Sequence, residues 1–145
     1  MNRLLIVTIV LLFVVSCKKE IAKKVDVSNI NVTFSVDRFE KKFYKANETT
    51  LPSLKKEFPY LFPVQNDSVW LNKIKDKEER ELYKKSPVVF RDFENEKTQI
   101  EDLFKHVKYF HPNFEPPKIV TLITNLDYQN KIVYADSLMF VSLDM

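Results

Sequence analysis

Apolar and polar residues change their spacing several times along the chain, and each change marks an element. Leu4 to Val15 is an unbroken apolar run, short of the ~20 residues that a spanning helix needs and without the polar interruptions of a surface helix. Lys18 to Val27 is charged, with little period, and reads as a solvated spacer. Asn31 to Val36 alternates and is β-branched, which predicts a short strand. Asp37 predicts a helix cap, with Glu40 completing a capping box and Phe39 and Phe43 on one face of a helix running to Tyr44. Thr50 before Pro52 predicts the next start; Leu51, Leu54 and Phe58 form its apolar face, and Pro59 ends it.

Asn66-Asp67-Ser68 starts a third helix carrying Val69, Trp70 and Ile74. Lys77 to Lys85 is helical by propensity, with Glu78, Glu79, Arg80 and Glu81 outward and Leu82 inward, and Pro87 kinks it or divides it from the next segment. A long periodic stretch then runs from Val88 to Tyr109, with Val89, Phe93, Ile100, Leu103, Phe104 and Val107 as its stripe, and His111-Pro112 ends it. From Ile119 the period shortens. Ile119–Thr124, Lys131–Tyr134 and Leu138–Leu143 read as three strands joined by polar turns, the first and third buried on both faces. Helices first and strands later predict an α+β fold, with N-terminal helices followed by an antiparallel β-meander.

The opening run acquires a meaning from its flanks. Arg3 precedes it and Val14-Val15-Ser16-Cys17 closes it: an aliphatic residue, a small residue and then cysteine. This is the pattern of a secretory leader ending in a lipoprotein box. The expected organisation is a signal peptide over residues 1–16, a lipidated tether over 17–30 and a single α+β domain over 31–145. Cys17 is the expected lipid-attachment residue, with diacylglycerol on its sulfur and a fatty acid such as palmitate on its new amine. Two or three acyl chains anchor a protein stably where one does not. The chain stops two residues after an apolar strand, an ending that reads as the N-terminal portion of something longer, or else as a terminal strand docked in the sheet.

Composition narrows the chemistry. The chain has 23 lysines and arginines against 20 acids, a near-balance that argues against nucleic acid as a partner. Its single cysteine is committed to lipid, so no disulfide is expected. Glycine is absent, which excludes phosphate-binding glycine loops and leaves left-handed backbone positions to Asn and Asp. His106 and His111 stand five apart, off the spacing for a metal pair on one helix face; they read as a surface residue and a helix C-terminal residue. Asp127 and Asp136 fit turn chemistry, and Asp144 is placed to face a cleft. No catalytic, metal-binding or cofactor-binding set is read from these residues. Two proline–aromatic clusters, Phe58–Pro63 and Tyr109–Phe114, are expected to pack inward.

The order of segments resembles the gliding-motility-associated lipoprotein GldB family. The matching features are the lipoprotein signal through Cys17, Asp37-Arg38-Phe39-Glu40-Lys41-Lys42-Phe43, Leu54 to Pro63, Trp70, Glu81-Leu82-Tyr83, Leu103 to Phe114, Pro117 to Thr121 and Val141 to Met145. The resemblance implies a lipid-anchored lipoprotein of the cell envelope, facing the periplasm, required for gliding over surfaces with machinery associated with type IX secretion. Its implied partners are the membrane and proteins of that apparatus. It also implies a distant similarity to zincin-type folds, whose metal-binding helix would lie beyond Met145. The leading expectation is a non-enzymatic component; the alternatives are a zincin-like envelope hydrolase and a general binding lipoprotein. Lys18 after the lipidated cysteine leaves open which membrane holds it.

Overall fold

Where the chain alternates, its backbone is extended, yet the ladder forms over less of it than the pattern predicts. From Ile30 to Val36 residues are alternately half-buried and exposed, but strand β1 covers only Val36–Asp37. Alternation reports burial, whereas a ladder needs a partner; Phe34 is held instead by the edge of the Phe104 ring, 5.2 Å away. The computed structural model describes residues 25–63 and 66–145. The leader over residues 1–16, Cys17 and the tether as far as Lys24 lie outside the described residues.

Helix α1 spans Phe39–Phe43 and begins without a side-chain cap. The expected capping box does not form: Asp37 pairs with Lys118 at 2.6 Å, and Glu40 turns into the core. Helix α2, Leu51–Glu57, carries Pro52 in its first turn and buries Leu51 and Leu54; a 3₁₀ turn over Pro59–Leu61 comes next. Helix α3, Asp67–Lys75, is capped by the Asn66 side chain, which accepts from the Ser68 amide. Asp76 caps helix α4, Lys77–Val89, by accepting from the Glu79 amide at 2.9 Å.

Pro87 lies inside α4, so the expected division falls later. The periodic stretch is not one helix: α4 ends at Val89, the chain bends, and helix α5 runs Glu94–Phe110. Phe93 at the junction is buried with φ 67°, a left-handed conformation that costs a non-glycine residue about 1–2 kcal/mol. Val89 and Leu103, expected on the inner stripe, are exposed, as is Val88.

The sheet corrects the expected meander. Strands β2 (Lys118–Leu122), β3 (Ile132–Ala135) and β4 (Leu138–Ser142) join β1 in the order β1-β2-β4-β3. β1 and β4 both run parallel to β2, and only β3–β4 is an antiparallel hairpin, so the sheet is mixed. The most apolar strands take the two central places. β3 is exposed throughout and goes to the edge, and the polar segment after β2 carries the chain past the place that β4 fills on its return. Val120 packs with Phe39, Phe43, Leu54, Phe58 and Ile74 in the main core, while Ile119, one residue earlier and so on the opposite face, is also fully buried.

Candidate functional site

Three polar assemblies hold the elements together, and sequence reasoning missed two of them. Glu40, fully buried, receives the Arg38 Nε at 2.7 Å and the Thr121 hydroxyl at 2.5 Å. Arg38 also donates to the Phe90 carbonyl at 3.1 Å, and its guanidinium lies 5.2 Å from the Phe93 ring centroid. One ion pair thus ties α1 to β2 and to the bend between α4 and α5. A carboxylate withdrawn from water is tolerated only with such partners.

The second assembly centres on Glu79, read from sequence as outward and found buried. It accepts from the Tyr44 hydroxyl at 2.6 Å and from Lys73 at 2.5 Å. Burial, and then the hydrogen bond to the Glu79 carboxylate, push the Tyr44 phenol far up from its ordinary pKa. Arg80 donates to the Tyr44 and Ile74 carbonyls, each at 3.2 Å. The faint sequence signal for both carboxylates is an acid four residues before a tyrosine, the buried Tyr44 after Glu40 and the half-buried Tyr83 after Glu79.

Asp144 forms the third. It accepts from the Thr124 amide at 3.0 Å, the Leu126 amide at 2.7 Å and the Ser142 hydroxyl at 2.6 Å. Burial alone would raise its pKa; the Ser142, Leu126 and Thr124 hydrogen bonds outweigh it and hold the carboxyl below its usual range. The cleft-facing aspartate of the sequence reading is therefore a staple between the ends of β2 and β4. Asp127 and Asp136 are turn residues as expected: Asp127 accepts from Gln129 and Asn130, and Asp136 has φ 52° in the β3–β4 turn.

A cavity of about 280 Å³ lies where the end of β2 meets α1 and α3, walled by Phe39, Phe43, Leu61, Trp70, Leu122 and Ile123. Most of its polar neighbours are engaged, Glu40 with Arg38 and Thr121, Tyr44 and Lys73 with Glu79, Thr124 with Ser142 and Asp144, while the buried indole N–H of Trp70 has no partner among the described residues. Such a wall can hold an apolar group, and it presents no nucleophile paired with a base.

The histidines do not converge. His106 Nδ1 lies 2.7 Å from the Asp102 carbonyl within α5, and His111 is exposed just past the helix end. Among the described residues, His, Cys, Asp and Glu form no group of three that could hold a metal, and no helix is long and apolar enough to cross a membrane. The first aromatic cluster packs as expected, with Phe58 buried and Phe62 4.9 Å from Trp70, although Tyr60 is exposed. The second does so only through Phe114, 5.5 Å from Phe104; Tyr109 and Phe110 stand in solvent, a correction to the expected burial. Cys17, the lipid-attachment residue of the sequence reading, is outside the described residues.

Compared with known families, residues 20–145 match the family described as gliding motility protein GldB. No curated protein and no solved structure matches the chain, so the similarity to zincin-type folds gains no support from a known structure.

Proposed function

The chain belongs to the GldB family of gliding motility lipoproteins, and from that premise we propose that it is a non-enzymatic part of a gliding apparatus, held in the cell envelope by lipid on Cys17. The observation that carries this reading is the position of the only cysteine, directly behind Val14-Val15-Ser16 at the end of an apolar leader. The proposed organisation is a leader over residues 1–16, a tether over 17–30 and one domain over 31–145, facing the periplasm. Its proposed partners are the bilayer and proteins of motility machinery linked to type IX secretion.

The buried polar groups support a structural role. Each carboxylate of the three assemblies is spent joining two elements, which suits a part that transmits or receives force through a packed domain. The proposed role needs no cofactor.

The test is to grow cells with labelled palmitate and to compare wild type with Cys17→Ala. The expected outcome is a labelled, membrane-bound wild-type chain, an unlabelled and released variant, and loss of gliding in the variant. An unlabelled wild-type chain, or normal gliding after deletion of the gene, overturns the proposal.

A further inference from the structure

We propose that the outward face of α5 around Leu103 and Phe110 rests in the surface of the bilayer that holds Cys17, so that the domain is oriented against lipid as well as leashed to it. This rests on acylation of Cys17.

The face is apolar where solvent should favour polar residues. Leu103 is 55% exposed and Phe110 63% exposed, with Tyr109 beside them at 50%. Leu103, His106 and Phe110 are spaced three and four residues apart, so they form one stripe along the helix. His106, in the middle of that stripe, also lines a cavity with Val25–Ser28, Asp102 and Lys105. The described start of the tether therefore lies beside α5 at His106, between Leu103 and Phe110 along the helix.

Chain length then fixes the partner. The span from Cys17 to Val25 reaches roughly 27 Å when fully extended, so Val25, which lines the cavity with His106, cannot lie farther than that from the lipidated residue, and Phe110 is about one helical turn further on. Lys18, Lys19, Lys23 and Lys24 stand in this span with Glu20 as the sole acid, a charge that complements anionic headgroups. On this part of α5 Glu101 pairs with Lys105, and Asp102 and Lys108 add one charge of each sign, so the helix is near balance and contributes apolar contact while the tether contributes attraction. Phe, Tyr and Leu side chains suit the boundary between headgroups and acyl chains, where an aromatic ring is half desolvated.

The chain has one tryptophan, Trp70, which makes a clean probe possible. In a Trp70→Phe background, Phe110→Trp places the sole indole on the stripe; Leu103→Trp is the second variant should the first fail to fold. The acylated full chain is reconstituted in vesicles of phosphatidylethanolamine and phosphatidylglycerol. The expected result is co-flotation with the vesicles, a blue shift in emission relative to the same chain cut in its tether, and quenching by lipids brominated near the headgroup end. A chain that co-floats but emits as the cut form does, without quenching, overturns the proposal and leaves the anchor standing. A chain that neither floats nor carries added mass on Cys17 overturns both.

Discussion

Arg38 and Glu40 are two residues apart and face the same buried space, so neither can be read alone. With its partner removed, a buried charge is left without compensation. Glu40→Ala is expected to lower stability by about 3–5 kcal/mol in chemical denaturation. Replacing both by apolar residues of similar volume is expected to cost far less, because no orphaned charge remains. Backbone strain gives a prediction of the opposite sign. Asn125 and Leu126 both have positive φ, 58° and 60°, and Leu126 is 42% exposed. A left-handed leucine is strained where asparagine is not, so Leu126→Asn is expected to stabilise the fold by about 0.5–1 kcal/mol in the same assay.

Helix α4 shows how an element survives a residue that should break it. Pro87 has no amide hydrogen for the Tyr83 carbonyl, and the Ser86 hydroxyl, itself buried, donates to that carbonyl at 3.1 Å. Ser86→Ala would strand the carbonyl away from water, with an expected cost of about 1–3 kcal/mol, read as a lower denaturation midpoint at unchanged slope. Local signals of this kind decide what could be read in advance. The Asn66 cap, the break at Pro59 and the buried trio Leu51, Leu54 and Phe58 all arise from neighbours in sequence, and all are found. Strand order is not legible, because the apolar strands and polar turns from Lys118 to Ser142 read the same whether β4 lies outside β3 or beside β2. Absence of glycine pointed to Asn and Asp for left-handed positions. Asn125 and Asp136 comply, while Phe93 and Leu126 are held there by surrounding contacts that no local pattern records. Glu40, in a first turn, suits a cap, and Glu79, in a charged run, suits a solvated face; only tertiary partners turn the two inward.

For the molecule as a whole, the Asp144 staple makes stability depend on pH. Its pKa is lower in the fold than in the unfolded chain, so its contribution is complete above about pH 4 and fades as the pH falls through the folded value. Asp144→Asn is expected to cost about 1–3 kcal/mol near pH 7. The gap between the two proteins should narrow as the pH falls through the folded carboxyl's own titration; equilibrium denaturation near neutrality and over an acid series checks this.

The parallel register between Val36 and Ile119 also sets a timetable. A chain that emerges N-terminus first on the far side of a membrane delivers Ile119 of β2 83 residues (119 − 36) after Val36 of β1. Through that interval the helices between them exist without the sheet they pack against, and Phe39, Phe43 and Phe58 have no Val120 to cover them. Closure therefore comes late and nearly all at once, when β4 slots between β2 and β3, and until then a holding chaperone has most to protect.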